Sequence, residues 1–138
     1  MVNERLYLKT EFLGSGAYAS CHLVKAPPGF SCDHLACKEI KKSKLTDLRK
    51  KTKVEQELRL HQELKHPRIV TFEHFFEDQD NVYILLELCH KKSLHDLIVA
   101  RRAHAVAQNK KPGFQGLSEF ECKYFLTQIV EGVEYLQS

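Results

Sequence analysis

The 138-residue sequence predicts an α+β fold: a five-stranded antiparallel sheet beside one helix, followed by a helical tail. Three observations carry that expectation. Apolar and polar residues alternate along the first third of the chain between turns rich in Gly and Pro, the period-two signature of strands. From Asp47 to Leu64 there is no Gly or Pro, and Val54, Leu58, His61 and Leu64 recur at helical spacing. Beyond residue 90 the pattern is again helical, with a Ser-x-x-Glu capping signal at Ser118.

Leu6, Leu8 and Thr10 mark a first, half-buried strand, which Leu13-Gly14-Ser15-Gly16 is expected to break. Ala19 to Val24 form a second. Ala26-Pro27-Pro28-Gly29 is a turn, because Pro pre-sets φ and Gly tolerates the left-handed region. Leu35 to Ile40 make a third strand, which contains Lys38. The helix follows, and Pro67 prevents its continuation. Ile69 to Phe76 and Val82 to Leu88 pair as a hairpin around Asp78-Gln79-Asp80-Asn81, residues suited to tight geometry. Ser93 to Arg102 is a short helix capped by Ser93. His104 to Gly116 is expected to be a mobile loop. Ser118 and Glu121 open the last helix, whose apolar stripe is Cys122, Phe125, Ile129, Val133 and Leu136.

Composition excludes several classes. A net charge of +3 is too small for a dedicated nucleic-acid binder. The runs Lys41, Lys42, Lys44 and Arg49 to Lys53 suit a solvated face. Five cysteines, an odd count without CxxC spacing, fit reduced intracellular thiols better than a disulfide framework or a zinc site. The N-terminus carries charge at once and lacks the apolar run of a secretory signal. No stretch approaches the 18 or so apolar residues that would span a membrane.

Three features point to chemistry. Leu13-Gly14-Ser15-Gly16-Ala17-Tyr18-Ala19 lies between two strands. Its glycines let backbone N–H groups approach an anion and are expected to adopt positive φ. Ala19 takes the place of a third glycine, so the loop alone is equally an ordinary hairpin turn. A dinucleotide-binding fold is excluded, because there the loop must open a helix. Lys38 stands among apolar strand residues, and its ammonium needs an anionic partner if it points inward; otherwise it snorkels to water. Glu57 lies on or beside the apolar face of the helix and raises the same question.

The order of these elements resembles the N-lobe of a protein kinase: glycine loop, strand lysine, helix glutamate, then a hairpin ending in Leu86-Glu87-Leu88-Cys89. That family pairs the strand lysine with the helix glutamate and with nucleotide phosphates. The separation of 19 residues between Lys38 and Glu57 is typical of it. Ala19 at the third glycine position and Cys21 are similar to polo-like serine/threonine kinases. So are Glu57-Leu58-Arg59-Leu60-His61, Phe75-Phe76-Glu77-Asp78, Lys91-Lys92-Ser93-Leu94 and the segment from Lys123 to Val130.

This resemblance implies roles. Lys38 would bind α- and β-phosphate oxygens of ATP, oriented by Glu57. Gly14, Ser15, Gly16, Ala17, Tyr18 and Ala19 would cover the phosphates, with Ser20 joining the nucleotide contacts. Leu13 and Cys21 would bracket the adenine, Ala36 would pack on it, and Leu86 would stand behind it as gatekeeper. Backbone groups of Glu87 and Cys89 would hydrogen-bond its edge. His61 and Phe72 match the N-lobe members of the family's regulatory spine, a position equally suited to plain core packing. The implied domains are residues 1–90, an N-lobe with glycine loop and hinge, and 91–138, the start of a C-lobe with helix D, an insertion at about 103–117, and helix E.

Neither the catalytic loop His-Arg-Asp-x-x-x-x-Asn nor Asp-Phe-Gly occurs in the sequence. These segments hold the family's base and its Mg²⁺ ligands. The isolated chain is therefore expected to be inactive, as a fragment or shortened product, with Mg²⁺ relevant only to a complete kinase. The expected partners are ATP and protein substrates or regulators. The resemblance alone suggests the nucleus, centrosome or spindle. A non-catalytic protein-binding module is the main alternative. A nucleic-acid-binding domain is the weakest, since no aromatic residues interleave with the basic run.

Overall fold

The structure is a computed structural model that describes residues 7–108 and 116–138. The chain forms two compact units, one ending at Leu88 and one beginning at Cys89.

The first unit holds strands β1 (Leu8–Ser15), β2 (Ala19–Lys25), β3 (His34–Lys41), β4 (Phe72–Glu77) and β5 (Asn81–Glu87), with helix α1 (Leu48–Glu63) between β3 and β4. All neighbours are antiparallel, in the order β1-β2-β3-β5-β4. The predicted α+β architecture is therefore present.

Successive side chains of a strand point to opposite faces, and β3 uses both. Leu35 and Cys37 join Val24 and Leu85 in one buried cluster, faced with Tyr7, Phe30, Phe76 and Tyr83. There Phe76 stacks between Tyr7 and Tyr83, at centroid distances of 5.2 and 4.8 Å. Ile40 joins Ile84 and Leu45 on the other face, against Val54 and Leu58 of α1. The sheet thus has two apolar faces, and Lys38 shares the one that α1 covers.

The bounds of α1 follow from local chemistry. The Asp47 carboxylate accepts from the Arg49 N–H at 3.0 Å, an N-cap, and the helix closes at Leu64. The hairpin after it is fixed by Asp78. Its carboxylate accepts from the N–H groups of Asp80 and Asn81 at 2.8 and 2.7 Å and from the Tyr83 hydroxyl at 2.8 Å. These bonds, the Tyr83 hydroxyl first, hold the Asp78 carboxyl below the ordinary carboxylate range. β4 starts at Phe72 rather than Ile69, because a turn bond from Ile69 N–H to the His66 carbonyl precedes it.

β1 departs from expectation in two ways. The glycine loop does not break it at Leu13; pairing with β2 continues to Ser15. Nor is it half-buried: Leu8 and Phe12 are 63% and 59% exposed. The strand lies at the sheet edge and slips register twice, between Lys9 and Glu11 and between Phe12 and Gly14. Such bulges turn an edge away from flat pairing.

The second unit holds α2 (Leu94–Ala107) and α3 (Glu119–Gln137). Both start with a capping box, Ser93 with Asp96 and Ser118 with Glu121. Arg101 of α2 pairs with Glu121 of α3. The expected loop from His104 is corrected at its start: α2 runs to Ala107, since Ala103, Ala105 and Ala107 favour helix. Its residues 109–115 lie outside the described residues. On α3, Gly132 is buried, while Ile129, Val133 and Leu136 are about half exposed. Among the described residues no helix is long and apolar enough to cross a membrane.

Candidate functional site

Sheet register brings several sequence-predicted residues together. Lys38 lies opposite Cys21 on β2 and Ile84 on β5. Two residues along, Ala36 lies opposite Leu23 and Leu86. Directly opposed cross-strand residues share a face. Cys21, Ala36, Lys38 and Leu86 therefore line one side of the sheet, the side α1 covers.

The Lys38 ammonium donates to Glu57 Oε1 at 3.1 Å. The helix and strand thus meet through a lysine and a glutamate 19 residues apart. The pair is not sequestered: its side chains are 34% and 55% exposed. Exposed ion pairs contribute only about 0–1 kcal/mol to folding, so stability does not account for this one. Glu57 engages one of the three N–H donors of the ammonium.

One helical turn further, His61 donates through Nε2 to the Val70 carbonyl at 2.8 Å. Its ring lies edge-on to Phe72 at 5.7 Å. Both expected spine residues are thereby placed in contact at the join of α1 and β4.

The glycine loop is the β1–β2 hairpin. Ser15 pairs with Ser20, and the Gly16 N–H donates to the Ala19 carbonyl at 2.8 Å. Gly16, Ala17 and Tyr18 form an exposed tip, while Ala19 and Ser20 are half-buried. Leu13 is the extra residue of the second bulge, between the pairs Phe12–His22 and Gly14–Cys21. It is therefore set beside Cys21, although 45% exposed. The expected positive φ is not found here; among the described glycines it occurs at Gly29, with φ 102°. A Cβ at Gly14 or Gly16 would meet nothing within 4 Å. Open space does not single them out, since Gly29 and Gly116 have it too.

Burial pushes the Cys21 thiol above its ordinary value, and the Lys38 charge opposes this only in part. Cys21 is a packing residue and not a poised nucleophile. Glu87 is tied to Thr71, the residue before β4: its N–H donates to the Thr71 carbonyl at 2.9 Å, and its carboxylate accepts from the Thr71 N–H at 3.0 Å. Of its backbone groups only the carbonyl can then serve a ligand. Cys89, exposed, opens the second unit. No cluster of three or more His, Cys, Asp or Glu among the described residues is placed to hold a metal ion.

One residue escaped the sequence reading. Lys50, assigned to a solvated basic run, holds its ammonium 5.6 Å from the centre of the Tyr18 ring. No periodic signal could have found it, since the partners meet only through the fold.

The chain matches the protein kinase domain family over residues 7–138. It is 42% identical to a probable serine/threonine-protein kinase, CCRP1, of Zea mays over 97% of its own length and 19% of that protein. It is 35% identical to the serine/threonine-protein kinase polo of Drosophila melanogaster, over 98% and 21%. With the probable serine/threonine-protein kinase PLK of Dictyostelium discoideum the identity is 38%, over 96% and 12%. The chain spans about a fifth or less of the length of these relatives. The sheet, helix and strand lysine agree with the family match: the chain belongs to the protein kinase domain family and carries an N-lobe of the polo-like serine/threonine kind.

Proposed function

We propose that this chain supplies the ATP-binding part of a serine/threonine kinase, with residues 1–90 as N-lobe and hinge. Residues 91–138 begin the C-lobe: α2 is helix D, α3 is helix E, and the insertion, about 103–117, takes in the last residues of α2. The change of compact unit at Leu88–Cys89 supports that division. The observation that carries the reading is the half-exposed ion pair of Lys38 and Glu57 on the α1 side of the sheet. Its cation stays open to a second anion, and a phosphate chain suits it.

In this reading Lys38 binds α- and β-phosphate oxygens, and Glu57 holds the ammonium in place. Backbone N–H groups from Gly14 through Ser15, Gly16, Ala17, Tyr18 and Ala19 cover the phosphates, with Ser20 beside them. The missing Cβ atoms of Gly14 and Gly16 leave room for that approach. Leu13, Cys21 and Ala36 enclose the adenine, Leu86 stands behind it, and the Glu87 carbonyl and the Cys89 backbone serve its edge. Transfer to a protein Ser or Thr also needs a base and Mg²⁺ ligands. The family draws these from His-Arg-Asp and Asp-Phe-Gly segments, which these 138 residues do not contain. These 138 residues by themselves are therefore expected to hold nucleotide weakly and not to transfer phosphate. An intracellular place of action, at nucleus, centrosome or spindle, goes with the polo-like kinship.

Lys38→Met is expected to abolish binding of a fluorescent ATP analogue while leaving the circular dichroism spectrum and the unfolding midpoint nearly unchanged. Unaltered affinity in this variant would sink the site assignment. Radiolabel transfer to a generic protein substrate by the 138-residue chain, lost in Lys38→Met, would instead disprove its inactivity.

A further inference from the structure

We propose that Lys50 is a positioning residue for the glycine loop, tying its tip to the helix that presents Glu57. The catalytic meaning of this contact rests on the nucleotide reading above, but the contact itself does not. Tyr18, at the exposed tip, is 46% exposed, and the Lys50 ammonium sits 5.6 Å from its ring centre. A cation over an aromatic face is attracted by the ring's quadrupole. Lys50 belongs to the first turns of α1. Val54 and Glu57 follow it at i+4 and i+7, the spacing that keeps residues on one helix face. A single face therefore carries three attachments in sequence: Lys50 to the loop tip, Val54 to the apolar cluster of Ile40, Leu45 and Ile84, and Glu57 to Lys38.

The geometry has a mechanical result. The loop hangs on an edge strand that is bonded on one side and slips register twice. The strand that bears Lys38 is bonded on both sides. A rotation of α1 that withdraws Glu57 from Lys38 also withdraws Lys50 from Tyr18. Loop closure and the ion pair are then one movement.

Amide hydrogen exchange of the nucleotide-free chain tests this at the Gly16 N–H, whose bond to the Ala19 carbonyl closes the loop. A cation–π contact at an exposed site biases a population about two- to five-fold. Lys50→Met, which keeps the stem and removes the charge, should speed Gly16 exchange by about that factor, and Lys50→Arg should restore it. Tyr18→Leu should match Lys50→Met, Tyr18→Phe should match the native chain, and the double variant Lys50→Met/Tyr18→Leu should exchange no faster than either single one. Native-like exchange in Lys50→Met, failure of Lys50→Arg to restore it, or equal acceleration by Arg59→Met, a control half a turn round α1 from Lys50, overturns the proposal. All of these readouts are made without nucleotide. Unaltered ATP affinity in Lys38→Met would overturn the nucleotide reading and leave them standing.

Discussion

β3 and β1 belong to one sheet and carry the two halves of the candidate site, yet they are held in opposite ways. β3 is bonded on both sides and buries Leu35, Cys37 and Ile40. β1 is bonded on one side, slips register twice and buries no residue. The lysine stands on the strand that cannot move without unfolding the core. The glycine loop hangs from the strand that can shift at little cost. A point charge that must meet one oxygen needs a fixed mount, whereas a cover that must admit a ligand needs a compliant one.

Substitution should expose that contrast. Leu35, 0% exposed, touches the core from the rigid strand. Leu35→Ala is expected to cost about 2–5 kcal/mol in urea unfolding; a cost near zero would show that β3 is not the mount. Cys37 gives a pH test of the same strand. Burial, first among its causes, pushes this thiol from 9.0 up to about 11. The folded chain then keeps a proton that the unfolded chain has already released. Stability should therefore be full below pH 9 and fall as the pH rises toward 11. Cys37→Ala should flatten that fall. A fall from pH 10 upward should remain from Tyr83, held up from 10.0 to about 12 by burial and by its bond to Asp78. An identical pH profile for the variant would remove Cys37 from the account. Least affected should be Phe12→Ala on β1. Its ring is 59% exposed and meets His22 edge-on at 5.5 Å, so the loss should stay below about 1 kcal/mol. A cost equal to that of Leu35→Ala would erase the contrast between the strands.

Much of this architecture was legible in the sequence where the deciding chemistry is local. Ser93 caps α2, and Ser118 with Glu121 opens α3; each signal spans only a few residues. The Lys38–Glu57 pairing was legible through the family resemblance together with the need of each charge for a partner. The exposure of β1 was not, because alternation tells which side chains share a face and not whether anything covers that face. The continuation of β1 through Leu13 was missed for a related reason: a bulge absorbs an extra residue without ending a strand. The extension of α2 past His104 lay hidden behind polar neighbours that outweighed three alanines. Lys50 was invisible, since the ammonium and the ring it faces lie on a helix and a hairpin tip with no spacing rule between them.

The bulges of β1 also constrain how this strand can change. Between the pairs Lys9–Val24 and Gly14–Cys21, β1 advances five residues while β2 advances three. Two surplus residues, Thr10 and Leu13, are stored along the way and restore the original phase of the side chains. Because nearly every side chain there faces water, the identities in β1 are loosely specified and their number is strictly so. Loss of one residue would turn all that follow to the opposite face and carry the glycines away from the lysine they are meant to overhang.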